Sequence, residues 1–272
     1  MSKSGKKSEN RKVAKDDRNL KNQVLSSEKK DFVFGYHSSK EVIQQGRAMK
    51  VFLQEDAKGK RVNEIKECAK IAGVSVKWVP KSKLSNLTNN AVHQGIAVLA
   101  SPYRYLTLSK LISQTKREEP FFLILDSLED PHNLGSILRT ADATGVDGVI
   151  LPKHNAVGIT PTVVKTSTGA VEHVPVVRVS NLVQTVALLK QEGFWIFGTD
   201  MEGLDYRKWQ IKGKLALIIG NEGRGIRSLL KKEVDEMLAI PMNGHVQSLN
   251  AGVAAGILMY EVYRERNLFQ DI

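Results

Sequence analysis

At residues 121–141 the chain reads FFLILDSLEDPHNLGSILRTA. An unbroken apolar run that ends in Asp126 predicts a short strand buried on both faces of a sheet, because a half-exposed strand would alternate apolar and polar residues. A polar loop follows, and Asn133 is predicted to open a helix whose apolar positions recur at helical spacing. Strand, loop and helix in this order are the repeating unit of a parallel α/β sheet.

The same unit recurs through the C-terminal half of the chain. Further apolar runs lie at residues 148–151, 174–179, 194–198, 215–220 and 237–241. The helical patterns lie at residues 133–144, 161–168, 181–192, 225–232 and 248–265. Together they predict an α/β fold in which helices cover both faces of a parallel sheet. Ligands of such sheets bind beyond the carboxyl ends of the strands, so the informative residues should follow the strands.

The stretch after the first of these strands contains Arg139, in a helix that is otherwise small and apolar. Burying a guanidinium there would be costly without a polar or anionic partner. The sequence leaves two partners open. One is a nearby acid, Asp126 or Asp142, and the other is the phosphate or ribose of an RNA.

Two more stretches follow strands. Residues 220–225 read GNEGRG, and their three glycines permit positive φ and a close approach of a ligand to the backbone. This stretch has neither the P-loop pattern nor dinucleotide-fingerprint spacing, so it is either a ligand loop or a plain turn. Residues 240–256 read IPMNGHVQSLNAGVAAG, where Ser248 and Asn250 suit a helix cap. The small residues after them favour close packing against the chain or a second subunit.

The N-terminal part of the chain divides into a tail, a second globular unit and a linker. Residues 1–30 hold ten basic and four acidic residues, which predicts a disordered tail, either an RNA-contacting arm or an inert extension. Residues 31–101 predict a small α/β unit, and residues 102–119 a linker with a helix and a hinge at 114–119; a domain at 120–272 follows. The elements expected in the small unit are a helix at 40–45 capped by Ser38 or Ser39, helices at 60–72 and after Pro80, and strands at 49–54, 74–79 and 95–100.

The composition of the 272 residues narrows the class of protein. A formal net charge of +11 favours a polyanionic partner such as a nucleic acid. The single cysteine, Cys68, cannot form an intrachain disulfide and suits a structural thiol, and no Cys/His cluster offers a metal site. Since no apolar stretch resembles a signal peptide or a bilayer span, we expect a cytoplasmic protein that binds neither membrane nor metal.

The three stretches after strands, within residues 121–266, resemble the SpoU/TrmH family of SPOUT RNA 2′-O-ribose methyltransferases. Residues 32–100 resemble the RNA substrate-binding domain of the ribosomal-RNA branch of that family. The resemblance implies that the C-terminal domain is threaded into a trefoil knot, a rare exception among folds. It also implies that the knot's loops hold S-adenosyl-L-methionine, and that the chain forms a homodimer with the active site near the subunit interface.

The resemblance also assigns residues. It places Asn133, Arg139, Glu222, Ser248 and Asn250 at catalytic positions. It gives cofactor binding to the backbone of Gly220, Ile240 and Leu249, with Thr199 and Met242 as further residues of that pocket. Two departures concern the third loop: Gln247 stands where an acid is common, and Ala251 and Gly252 replace a more usual Val-Ser.

The reaction that the resemblance implies is methylation of a guanosine ribose in large-subunit (23S) ribosomal RNA, because family members that act on transfer RNA usually lack the unit at 32–100. Arginine stays protonated in most proteins, so we expect Arg139 to orient the hydroxyl while an RNA phosphate takes the proton; the family view that it acts as the base stays open. The alternatives are a tRNA guanosine methyltransferase, an antibiotic-resistance rRNA methylase, and a non-catalytic RNA-binding assembly factor.

Overall fold

The computed structural model describes residues 31–246 and 248–267, and from Phe32 onward these form one compact unit. The predicted tail at 1–30 and the departure at Gln247 lie outside the described residues. No helix within the described ranges is long and apolar enough to span a bilayer.

A four-stranded sheet forms the N-terminal half, with strand order β1-β4-β2-β3. Two helices, α1 and α2, pack on one face of it, and α3 packs on the other. The bounds are β1 (Asp31–Phe34), α1 (Tyr36–Gln44), β2 (Ala48–Gln54), α2 (Lys60–Ile71), β3 (Val76–Val79), α3 (Lys81–Leu87) and β4 (Ile96–Ala100). The predicted strands and helices are confirmed, and β1 is an additional strand that the sequence interpretation missed.

The predicted cap of the first helix is wrong. Ser38 and Ser39 are buried inside α1, and Gly35 occupies the cap position without a side-chain hydrogen bond. The Ser38 hydroxyl instead donates to the carbonyl of Val164, in the C-terminal half, over 3.2 Å. Cys68 is half-buried on α2, in keeping with the expected structural thiol.

A six-stranded sheet forms the C-terminal half, and the predicted linker contains one helix before it. The remaining elements are α4 (Leu108–Gln114), β5 (Phe121–Leu125), α5 (Pro131–Thr144), β6 (Gly148–Pro152), α6 (Pro161–Thr166), β7 (Val176–Val179), α7 (Leu182–Gln191), β8 (Trp195–Asp205), β9 (Leu215–Ile219), α8 (Ser228–Lys231), β10 (Glu236–Ala239) and α9 (Ala251–Asn267). The strand order is β10-β8-β9-β5-β6-β7, and all five neighbouring pairs are parallel. The predicted parallel α/β sheet is therefore confirmed.

Each face of this sheet is covered by an apolar layer, as expected for strands that are buried on both faces. Along β5, Phe121, Leu123 and Leu125 face one apolar layer, and Phe122 and Ile124 face the other. Helices α5, α6 and α9 contribute to the first layer, and α4, α7 and α8 contribute to the second. Burying side chains of this size contributes about 1.5–3 kcal/mol each, which is why the strands are continuously apolar.

Several boundaries differ from those predicted, and the largest difference is in β8, which continues to Asp205 instead of ending at residue 198. Helix α5 begins at Pro131, because Asp130 is its cap and accepts a hydrogen bond from the N–H of His132 over 2.9 Å. Helix α8 is shorter than the pattern at 225–232, and α9 begins at Ala251 instead of residue 248. The 3-10 helix Ala170–Glu172 lies between α6 and β7.

Candidate active site

The carboxyl ends of β5 and β9 lie side by side, and the N–H of Asp126 donates to the carbonyl of Ile219 over 2.9 Å. Asp126 is fully buried and accepts two hydrogen bonds from Arg227, from the backbone N–H at 2.9 Å and from Nε at 2.7 Å. This ion pair holds the glycine-rich loop after β9 against the end of β5. The sequence interpretation offered Asp126 only as a partner of Arg139, and that pairing is wrong.

A cavity of about 350 Å³ opens beyond the carboxyl ends of β9 and β10, beside residues 199–201 in the middle of β8. Its volume lies within the range of about 300–1,000 Å³ that is usual for small-molecule sites. All of the predicted cofactor residues line it, together with two of the predicted catalytic residues: Thr199, Gly220, Ile240, Met242 and Leu249, and Glu222 and Ser248.

Gly220 permits the tight turn that forms one wall of the cavity. A Cβ atom at this position would lie 2.4 Å from the carbonyl carbon of Gly225 and 2.5 Å from the nitrogen of Ile226. Both of these are backbone atoms, so they cannot rotate away. Any side chain at position 220 would therefore force the loop to open and change the cavity wall.

Three predicted catalytic residues meet at the edge of this cavity. The Asn133 side-chain N–H donates to the carboxylate of Glu222, and the Asn250 side-chain N–H donates to the amide oxygen of Asn133 over 2.9 Å. These residues come from α5, from the loop after β9 and from the start of α9. We call them the Asn133–Glu222–Asn250 network.

Asn250 has a structural role as well. Its side-chain oxygen accepts hydrogen bonds from the N–H of Gly252 at 3.0 Å and of Val253 at 3.3 Å, which caps α9. Ser248 lies before the helix, is exposed and lines the cavity, so of the two expected caps only Asn250 is one.

Arg139 lies apart from the network. It is exposed on α5 and makes no ion pair with any described residue, so of the two alternatives for its partner the nearby acid, Asp126 or Asp142, is wrong. Six residues separate it from Asn133 on the same helix, which places the two side chains about 120° apart around the axis. Arg139 does not line the cavity.

One acid at the cavity was not singled out from the sequence. Asp200 lines the cavity beside Thr199, and a hydrogen bond from Lys231 lowers the pKa of its carboxyl below the usual range. The feature of the sequence that could have identified Asp200 is its position shortly after the apolar part of β8. Among the residues that the structure describes, no group of His, Cys, Asp and Glu side chains could hold a metal ion.

The profile of the SpoU rRNA Methylase family matches residues 120–260. A second profile, described as RNA 2′-O ribose methyltransferase substrate binding, matches residues 32–106. A protein of Staphylococcus aureus (strain COL), whose name places it in the TrmH family of tRNA/rRNA methyltransferases, is 51% identical over 239 residues. That alignment covers 86% of this chain and 96% of the relative.

Solved structures show the same fold. An AdoMet-bound rRNA methyltransferase from Sinorhizobium meliloti superimposes with a TM-score of 0.72 at 26% identity, over 87% of this chain and 87% of its own. The TrmH/SpoU tRNA modifying enzyme of A. aeolicus superimposes with a TM-score of 0.52 at 29% identity, over 59% of this chain and 84% of its own.

Proposed function

Because the chain belongs to the SpoU/TrmH family of RNA methyltransferases, we propose that it transfers a methyl group to the 2′-hydroxyl of a guanosine in large-subunit (23S) ribosomal RNA. The observation that supports this most is the Asn133–Glu222–Asn250 network at the edge of a cavity lined by every predicted cofactor residue.

The cofactor is S-adenosylmethionine, which the S. meliloti neighbour carries in its crystal. The cavity fits it in size, and the bare backbone at Gly220 lets a flat base lie close to the chain. The backbones of Gly220, Ile240 and Leu249 would hold the adenine and ribose, with Thr199 and Met242 beside them. When bound, the cofactor supplies an electrophilic sulfonium methyl group.

The protein's own residues must orient a weak nucleophile and handle its proton. The network would fix the ribose beside the cavity, with Ser248 as a further contact. Arg139 would hydrogen-bond the 2′-oxygen and stabilise the negative charge that develops there, because a guanidinium remains charged throughout. An RNA phosphate would accept the proton.

Arg139 is exposed and outside the cavity, which supports a site completed by a second subunit. Helix α9, which packs on α5, exposes Val253, Tyr260 and Tyr263 along one side. Side chains at this spacing form an apolar stripe of the kind that a helix partner covers. We therefore expect a homodimer through α5 and α9; the trefoil knot likewise stays a prediction.

The extent of the structural match favours ribosomal RNA over transfer RNA. The rRNA enzyme aligns with 87% of this chain, whereas the tRNA enzyme aligns with 59%. The unit at 31–101, with its substrate-binding profile at 32–106, would hold RNA for the domain at 120–272. We place the reaction in the cytoplasm, where the proposed ribosomal RNA substrate would be found.

A methylation assay tests the proposal. Wild-type protein with tritiated S-adenosylmethionine should label unmethylated large-subunit RNA, and Arg139→Ala should lower the rate about 10²- to 10³-fold, the usual effect of losing a donor that stabilises developing charge in the transition state. Arg207→Ala is the matched control, because Arg207 is also exposed. Wild-type turnover by Arg139→Ala would disprove the role of Arg139.

Two further outcomes would redirect the proposal. Label in transfer RNA alone would make the protein a tRNA methyltransferase. No heat of S-adenosylmethionine binding in calorimetry would favour a non-catalytic RNA-binding protein. Mapping the 2′-O-methyl positions lost in a deletion strain would identify the nucleotide and separate a housekeeping enzyme from a resistance methylase.

A further inference from the structure

The loop between α3 and β4, residues 88–95, has an unusual backbone. Asn89, Asn90 and Gln94 have φ angles of 51°, 59° and 54°, in the left-handed region. Residues other than glycine seldom adopt this conformation, and they keep it only where the surroundings hold them in place. Three such residues within six positions give the loop a defined shape, although Asn adopts this conformation more readily than most residues.

Side chains hold this loop from three directions. His93 is buried, and its Nδ1 accepts a hydrogen bond from the N–H of Gly95 over 3.0 Å, so its proton lies on Nε2 and points to the hydroxyl of Ser85 at 3.3 Å. The side-chain oxygen of Gln94 accepts from the N–H of Tyr36 over 3.0 Å. Lys165 of α6 donates to the carbonyl of Val92 over 3.1 Å.

The held loop presents an apolar side chain to solvent. Val92 is 72% exposed, and Asn89 and Asn90 beside it are exposed as well. Lys165 contacts the loop directly, and Lys81 lies near its base, where the Asp56 carboxylate also interacts with it. Val92 therefore contributes little to the core, and an exposed apolar side chain beside Lys165 suits a ligand that has both anionic and apolar parts.

The loop lies on the side of the molecule that carries the candidate active site. Lys165 contacts the loop, and the next residue, Thr166, packs against the first turn of α5, where a Cβ on Gly135 would lie 2.5 Å from the Thr166 Cβ. That turn carries Asn133 of the network. Residues 165 and 166 of α6 therefore connect the loop to the turn that carries the network.

We propose that the loop at residues 88–95 is an RNA wedge: Val92 inserts beside a base in the RNA segment that flanks the methylated nucleotide, and Asn89 and Asn90 contact base edges. Apolar side chains unstack bases in this way in other nucleic-acid complexes, and RNA is read by sequence mainly where its bases are splayed out. The inference rests on the proposed function, because it takes RNA as the ligand. The rival occupant of the loop is a second copy of this chain.

The test compares Val92→Ala with Ile71→Ala. Ile71 is an equally accessible aliphatic residue, 85% exposed, and it precedes β3 at the end of the N-terminal sheet opposite the loop. The probe is a fluorescein-labelled transcript of large-subunit ribosomal RNA, and its binding is followed by fluorescence anisotropy at several salt concentrations. Methyl transfer to the same transcript is measured in parallel.

Val92→Ala should weaken RNA binding about tenfold, the effect expected from removing about two buried methylene equivalents. The slope of affinity against salt should not change, because no phosphate contact is lost. The KM for S-adenosylmethionine should also stay the same, and Ile71→Ala should match the wild type throughout. Val92→Thr, which keeps the shape of the side chain, should bind several-fold more weakly than wild type and provides the measurement if Val92→Ala fails to fold.

Wild-type RNA affinity in Val92→Ala would overturn the wedge, and so would a change in its sedimentation coefficient, which would assign the loop to a subunit contact. A wild-type protein that binds no RNA would also overturn it. Anisotropy requires no methyl transfer, so an RNA-binding protein that loses affinity with Val92→Ala but methylates nothing would support the wedge and refute the proposed function.

Discussion

Removing Arg47 should destabilise the fold by several kcal/mol, because its partner is buried. Arg47 bonds Glu172 through Nη1 and the carbonyl of Ser101 through Nη2 at 2.8 Å, and its guanidinium lies 5.3 Å from the centre of the Tyr103 ring. The side chains of Arg47 and Glu172 are only 13% and 3% exposed. The pair joins the start of β2 to the 3-10 helix before β7, and so links the proposed RNA-holding unit to the domain with the cavity.

The magnitude follows from what each substitution leaves behind. Arg47→Met leaves the Glu172 carboxylate buried without a counter-ion, which costs about 3–5 kcal/mol when one partner of a buried pair is removed. Glu172→Gln keeps an acceptor for Arg47 and should cost about 1–2 kcal/mol, the net loss of a charged hydrogen bond. The double variant should be more stable than the sum of the two losses predicts, by about 1–3 kcal/mol.

The effect of Arg47→Met should depend on pH. Burial already raises the pKa of Glu172 above its usual range, and Arg47 opposes that rise. Without Arg47 the pKa rises further, so the folded state takes up a proton that the unfolded state releases above about pH 4.3. Stability is therefore gained as pH falls, and the loss caused by Arg47→Met should be smaller at pH 5 than at pH 8.

Urea unfolding at pH 5 and pH 8, followed by circular dichroism, measures these quantities. Arg264→Ala is the control, because the ion pairs of Arg264 lie on the exposed side of α9 and should contribute about 0–1 kcal/mol. A loss below about 1 kcal/mol for Arg47→Met at pH 8, or a loss independent of pH, would refute the reasoning, since either would show that Glu172 reaches water.

Three other predictions concern the site and the loop. Gly220→Ala should lower the affinity for S-adenosylmethionine by more than about tenfold in calorimetry through overpacking of the cavity wall, whereas Gly223→Ala, whose Cβ would approach nothing closer than 3.6 Å, should bind normally. Asn250→Asp should keep the cap of α9 and a near-normal urea midpoint but lose methyl transfer, because the carboxylate no longer donates to Asn133. If stability and methyl transfer fell together, the role of Asn250 would be limited to capping the helix. Burial lowers the pKa of His93, so the folded state excludes a proton that the unfolded state binds below about pH 6.5, and thermal stability should fall as pH drops from 6.5; an unchanged slope in His93→Gln would contradict this.

The strands could be predicted because an all-buried strand leaves a continuous apolar run, as at Phe121–Leu125. Because the strands of the C-terminal sheet are parallel, the loops that follow them could be predicted to lie at the same edge of the sheet. The ends of the helices were harder to predict, because each end depends on a single capping residue. Ser38 and Ser39 have the right chemistry for a cap, but tertiary packing buries them within α1, and Asp130 takes the cap of α5 that the pattern gave to Asn133.

The contacts within the site could not be derived from the pattern. Asn133 bonds partners 89 and 117 positions away, and no local spacing specifies such a pairing. The partner of Asp126 was missed for the same reason, since Arg227 lies 101 positions further along the chain. The resemblance to a family identified the residues of the network, and the structure shows that the fold brings them into contact.

The exposure of the network is itself an argument for function. Its hydrogen bonds lie at the rim of an open cavity, and exposed polar contacts of this kind contribute about 0–1 kcal/mol to stability. Capping explains the side-chain oxygen of Asn250, but it does not explain why the amide of the same residue donates to Asn133, or why Asn133 in turn donates to Glu222. A fold gains little from holding three polar side chains in one arrangement beside a cavity, whereas a ligand that hydrogen-bonds to them gains orientation. The network is therefore better explained by a substrate than by the stability of the chain.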